Sequence, residues 1–147
     1  MTPCPSDDSS PGGRTLLPIS PLISVIDDDG PFRVAMDSLL RARGYTVHTF
    51  ASAAEFLRSP QLDEASCVIT DIQMPDISGL ELHAFLRNQG RTVPVIFITA
   101  FPEESVRARA LRDGAVCFLV KPSDASTLIK CVEEALIARN APHPKPP

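Results

Sequence analysis

Five short apolar runs alternate with segments of helical periodicity along this chain, and that alternation limits the possible folds more than any other feature of the sequence. The runs are Leu22–Ile26, Tyr45–Phe50, Cys67–Thr70, Pro94–Thr99 and Val116–Val120. Four of them are almost continuously apolar, as strands covered on both faces must be, whereas Tyr45–Phe50 alternates and suits an edge. The helical segments are Phe32–Arg43, Ser52–Ser59, Leu80–Asn88, Glu103–Asp113 and Asp124–Arg139. Ser52-Ala-Ala-Glu55 has the spacing of a capping box, and Gly44, Gly90 and Gly114 stand just past three helix ends, where a left-handed residue closes the last turn.

Strict β-α alternation requires crossovers between parallel strands, and those crossovers are right-handed. The expected architecture is therefore α/β: five βα units forming a doubly wound parallel five-stranded sheet, strand order 2-1-3-4-5, a flavodoxin-like winding. With 147 residues, 44% of them hydrophobic, the chain can build one such core and has too little left for a second. Proline crowds both ends, with five before residue 22 and four in the last six positions. The domain is accordingly expected over 22–139, with disordered tails at 1–21 and 140–147.

Charge and cysteine usage narrow the function classes. A net charge of −4 argues against recruiting nucleic acid through phosphate neutralisation. The acidic, proline-rich start lacks the pattern of a secretory signal, and no apolar stretch is long enough for a membrane span, so the reading is cytoplasmic, without membrane partners. Cys4, Cys67, Cys117 and Cys131 have no C-x-x-C spacing, and the expectation is free, mostly buried thiols rather than a disulfide or zinc site.

In a doubly wound sheet, ligands gather beyond the carboxyl ends of the strands. Here strand one ends in Asp27-Asp28-Asp29, strand three in Asp71, strand four in Thr99 and strand five in Lys121. Carboxylates gathered at one rim repel unless a divalent cation offsets their charge, and hard oxygen ligands without histidine or cysteine suit Mg2+. A site of this kind fits phosphoryl chemistry, which needs a nucleophile, cations on the developing charge and donors for the phosphoryl oxygens. Asp71 is the candidate nucleophile, Asp27 and Asp28 the metal ligands, Lys121 the second cation and Thr99 the donor.

Those residues, read with Thr70-Asp71-Ile72-Gln73-Met74-Pro75-Asp76-Ile77-Ser78-Gly79, Phe97-Ile98-Thr99-Ala100, Gly114-Ala115 and Phe118-Leu119-Val120-Lys121-Pro122, resemble the receiver domain of two-component response regulators, most closely the FixJ-like group. The resemblance covers Leu22 to about Arg139. It implies that Asp71 takes a phosphoryl group from a histidine of a sensor kinase or a phosphotransfer protein, in a Mg2+-dependent reaction. Asp28 would ligate the metal directly and Asp27 mainly through water, with Asp71 and the Gln73 backbone carbonyl completing the protein ligands. It further implies a cis Lys121-Pro122 bond, and a switch in which Thr99 turns inward and Phe118 moves from an exposed to a buried position. Output would be protein binding, to a downstream target or a second copy of the chain, through the face made by the fourth helix, fifth strand and fifth helix. With only a proline-rich tail after the receiver pattern, the chain reads as a stand-alone signalling protein without a DNA-binding output domain, not a turnover enzyme.

The sequence departs from the family pattern at Gly30-Pro31 and at Ser123, where the family usually has a bulky apolar residue. Phe101 is placed to shield an aspartyl phosphate. Two other readings compete: a receiver-like binding module that works without phosphorylation, and a haloacid-dehalogenase-like phosphatase with Asp27 as nucleophile and Asp29 as general acid. Arg107, Arg109 and Arg112 read as a solvated helix face or a docking surface. His48 and His83 read as surface or part-buried packing residues, and His143 belongs to a tail.

Overall fold

The computed structural model describes residues 20–140. Five parallel strands, β1 (Leu22–Ile26), β2 (Thr46–Phe50), β3 (Cys67–Thr70), β4 (Val95–Thr99) and β5 (Cys117–Val120), form one sheet in the order β2-β1-β3-β4-β5. They are joined by α1 (Gly30–Ala42), α2 (Ala53–Leu57), α3 (Gly79–Asn88) and α4 (Glu104–Arg112), and α5 (Ala125–Asn140) follows β5. The expected fold class and winding are those observed. A short 3-10 turn at Leu62–Glu64, which has no strong periodicity of its own, was not expected. The tails proposed at 1–21 and 140–147 fall almost wholly outside the described residues, as do Cys4 and His143; α5 runs through Asn140.

Side-chain alternation along the strands builds two cores. Ile23 and Val25 of β1 and Ile69 of β3 join Met36 and Leu40 of α1 and Leu128 and Val132 of α5 on one face. Ile26, Val68 and Phe97 join Phe56 of α2, Leu82 and Leu86 of α3 and Ala110 of α4 on the other. β1, β3 and β4 are buried along their whole length. β5 stands at the edge where the expected order puts it, paired only to β4, but it corrects the expectation of a strand covered on both faces: its first three residues are half-buried and Val120 is exposed. Its composition suggests full coverage because apolar content reports what a strand can bury, not how much of each face the helices cover.

Local signals explain most helix limits. Gly44, Gly90 and Gly114 all have positive φ, at 91°, 77° and 103°, as the helix-closing role requires. The Ser52 hydroxyl accepts from the Glu55 amide, but the Glu55 carboxylate accepts from the Ala51 amide instead of completing the box. The complete capping box opens α3, where the Ser78 hydroxyl accepts from the Glu81 amide and the Glu81 carboxylate from the Ser78 amide. At the two departures, Asp29 caps α1 with Pro31 in its first turn, and the Asp124 carboxylate, next to Ser123, accepts from the amide and hydroxyl of Thr127 and the hydroxyl of Ser126. Those three donors hold Asp124 down at about 2.

Candidate functional site

Three backbone hydrogen bonds fix the strand ends that carry the site: the Asp27 amide donates to the Phe50 carbonyl at 3.0 Å, the Asp71 amide to the Ile26 carbonyl at 3.1 Å, and the Lys121 amide to the Thr99 carbonyl at 2.8 Å. Asp27 and Asp71, just past β1 and β3, are both buried. Each offers one carboxylate oxygen to Lys121 Nζ, Asp27 Oδ2 at 2.7 Å and Asp71 Oδ2 at 3.2 Å. The other oxygens are held by backbone donors. Asp27 Oδ1 accepts from the Asp29 amide at 2.9 Å, and Asp71 Oδ1 from the Ile72 amide at 2.6 Å and the Gln73 amide at 3.2 Å. Asp28 is exposed, and one of its oxygens lies within 4.8 Å of oxygens from both Asp27 and Asp71.

One ammonium faces three carboxylates here, so when all are ionised the rim holds two unmatched negative charges. Burial pushes the Asp27 carboxyl up and Asp71 adds to the push, against hydrogen bonds from Lys121 and the Asp29 amide. Lys121 shows the opposite balance. Burial opposes its charge, yet Asp27 and Asp71 outweigh burial and hold the ammonium above its ordinary range. An all-oxygen donor set with excess negative charge and an exposed member fits a hard divalent ion such as Mg2+.

Thr99, at the end of β4, is buried, and its hydroxyl accepts from the Phe101 amide at 3.1 Å. Phe118 pairs in register with Phe97 and packs, half-buried, against the core beneath α3 and α4, so it is neither exposed nor fully enclosed. Phe101 is 67% exposed, which places it in solvent rather than as a closed shield. The Lys121-Pro122 bond is cis, as the resemblance implied. Gly79 begins α3 against the back of the site: a Cβ there would lie 2.2 Å from the Asp71 carbonyl oxygen, so only glycine allows this approach. Asp76, in the intervening loop, has a φ of 69°, a conformation that aspartate tolerates better than most residues.

Two contributors escaped sequence reasoning. The Phe32 ring lies under Lys121 with Nζ 4.2 Å from its centroid, and Arg33 Nη1 donates to the Asp27 carbonyl at 2.5 Å. Helical spacing assigns Phe32 to the core stripe and leaves Arg33 unremarked; the available signal is that both stand in the first turn of α1, which starts at the acidic rim. Asp29, the general acid of the phosphatase reading, takes the place of a helix cap: its side chain accepts from the Phe32 amide at 3.2 Å. His83 is buried in edge-to-face contact with Phe97, a packing residue as expected.

Comparison with known proteins agrees with this geometry. The chain is 34% identical over 115 residues to the response regulator protein TodT of Pseudomonas putida, covering 78% of this chain and 51% of that protein. It is 37% identical over 120 residues to the transcriptional regulatory protein FixJ of Azorhizobium caulinodans, covering 82% and 57%. It thus spans about half the length of the curated relatives it matches. Among solved structures, that of FixJ-N superposes with a TM-score of 0.72 at 29% identity, covering 80% of this chain and 94% of that one. A family model, the response regulator receiver domain, matches residues 23–133. With that match across most of the chain and this rim of carboxylates and lysine, the chain belongs to the response regulator receiver family of two-component signalling systems.

Proposed function

We propose that the chain accepts a phosphoryl group on Asp71 from a phosphohistidine of a sensor kinase or phosphotransfer protein, in the cytoplasm, and signals by a change in protein binding. The observation that carries this reading is the convergence of Asp71 with Asp27, Asp28 and Lys121 at the carboxyl end of the sheet. Asp27, Asp28 and Asp71, with the Gln73 carbonyl, would hold Mg2+, which when bound screens negative charge on carboxylate and phosphoryl group alike.

A carboxylate oxygen of Asp71 attacks phosphorus, the new O–P bond forms as the P–N bond breaks, and the imidazole leaves with the electron pair. The Ile72 and Gln73 amides orient the nucleophile by fixing Oδ1, which leaves Oδ2 on the side of Lys121. Lys121 can exchange its longer contact with Asp71 Oδ2 for a phosphoryl oxygen, while Phe32 and the Asp27 pairing keep its Nζ in place. Asp27 serves as a positioning and metal-holding group, paired with Lys121 and the Asp29 amide and fully buried, whereas Asp71 keeps some exposure to an incoming phosphoryl group.

The same proposal assigns the response to Thr99 and Phe118. A phosphoryl oxygen at Asp71 would accept the Thr99 hydroxyl proton, while the hydroxyl oxygen already accepts from the Phe101 amide; a charge-assisted hydrogen bond of about 1.5–3 kcal/mol would draw Thr99 inward and the β4-α4 loop with it. Phe118 then moves from its half-buried position to a fully buried one and reshapes the α4-β5-α5 face. A bias of that size turns a minor conformer of a few per cent into the majority. Arg107, Arg109 and Arg112, all exposed on α4, would help choose the partner or second copy that binds there.

Incubation with a small phosphodonor, followed by intact mass and mapping of the modified residue, tests the assignment. Labelling is expected on Asp71, dependent on Mg2+ and abolished by Asp71→Asn and by chelation. Labelling that persists in Asp71→Asn, or that maps to Asp27, overturns it. An unlabelled chain that still binds partners through α4-β5-α5 favours the phosphorylation-independent module.

A further inference from the structure

At the other end of β5 from Lys121, a second group of ligating side chains converges. Cys117 begins β5; Cys131 and Glu134 stand three residues apart on α5, a spacing that puts both on one side of a helix. One donor atom from each lies within 4.8 Å of the others, and Cys117 Sγ is 3.8 Å from Glu134 Oε1. Cys131 is buried, Cys117 half-buried and Glu134 exposed, so the group has a packed floor and a side open to solvent.

We propose that Cys117, Cys131 and Glu134 form a binding site for a thiophilic divalent cation, with Zn2+ the natural occupant, distinct from the acidic rim. Tetrahedral coordination with metal–sulfur bonds of about 2.3 Å and a metal–oxygen bond of about 2.1 Å sets donor separations of roughly 3.6–3.8 Å. The present separations, none above 4.8 Å and one already 3.8 Å, lie close to them. Two thiolates and one carboxylate are a soft donor set, whereas the rim offers only oxygen, so the two sites divide cations by chemistry: Mg2+ to the rim, Zn2+ to this cleft. Three protein ligands leave a fourth position for water or for a ligand from a partner. β5 rises about 3.3 Å per residue, which separates the sites by roughly 13 Å, and a cation here would fasten α5 to the edge strand next to the proposed output face.

The test uses the full chain, reduced and metal-free, with Mg2+ in excess. Cd2+ is titrated as the probe, the thiolate-to-metal charge-transfer absorbance is followed, and Zn2+ is added as competitor. One equivalent should saturate the band, and Zn2+ should displace it. Cys117→Ser and Cys131→Ser should each abolish one-equivalent binding, and Glu134→Gln should weaken it by about tenfold or more. Cys4→Ser should leave it unchanged. Should either serine variant fail to fold, protection of both Cys117 and Cys131 from alkylation by Zn2+ in the parent chain gives the same answer. A band that survives Cys117→Ser or Cys131→Ser, one that vanishes in Cys4→Ser, no band at all, or a Cys117–Cys131 disulfide that forms equally fast with and without Zn2+ would each overturn the proposal.

Discussion

The centre of the sheet and its β5 edge carry different halves of the site. β1 and β3 are buried throughout, and the carboxylates just past them are each held by backbone amides. β5 is half-buried, has one strand partner, and leads to Lys121 through an exposed Val120. The proposed nucleophile Asp71 and its neighbour Asp27 thus sit on the most deeply buried part of the sheet, whereas the half-buried Phe118 sits on the edge strand, where movement displaces less packing. A domain that must hold reacting atoms steady yet respond to their modification gains from this division, because local opening is easiest where few apolar contacts are lost.

Stability measurements can break the comparison. Ile69→Ala, in fully buried β3, is expected to cost about 2–5 kcal/mol in denaturant unfolding. Leu119→Ala in β5 should cost about 1–2 kcal/mol, in keeping with partial burial. Equal losses would mean that the edge is as tightly built as the centre. Gly79→Ala sharpens the same point at the site. Its Cβ meets the Asp71 backbone and not a side chain that can swing away, so about 1–3 kcal/mol should be lost, together with slower labelling of Asp71. Normal labelling in this variant would show that the α3 entry does not position the nucleophile.

The smallest expected effect concerns His83. Its imidazole is held below the usual range, first by burial and then by Arg87, with Asp113 opposing. The unfolded chain therefore takes up the proton first. The stability this neutral histidine confers is complete above about pH 6.5 and is lost as pH falls from there through the lower folded value. His83→Gln should flatten the pH dependence of the unfolding midpoint in that range; an unchanged slope would assign the acid sensitivity elsewhere.

How legible the molecule was in its sequence varied with the length scale of the cause. Strand runs, capping serines and helix-closing glycines act within a few residues and could be read, although Glu55 does not complete the box at Ser52. The strand-end rule then placed Asp27, Asp71, Thr99 and Lys121 together at one rim, because topology fixes that meeting without any side-chain detail. Phe32 beneath Lys121 and Arg33 on the Asp27 carbonyl could not be read, since both depend on how the first turn of α1 is rotated over the rim. The same limit hid the grouping of Cys117 with Cys131 and Glu134: their spacing in sequence carries no ligand pattern, and only packing of α5 on β5 brings them together. Half-burial of β5 was missed although the expected order already put it at an edge, because its apolar run reports what the strand can bury and not how far helices cover its faces.

The division between a fixed centre and a responsive edge is tested most directly by hydrogen exchange of the phosphorylated and unphosphorylated chain, compared between the parent and Thr99→Ala. Both should be labelled at Asp71. In the parent, phosphorylation should change exchange in β5 and the β4-α4 loop and leave β1 and β3 as they were, and in Thr99→Ala the change at β5 should vanish. A response at β5 that persists without the Thr99 hydroxyl, or one that spreads equally into β1 and β3, would contradict the account.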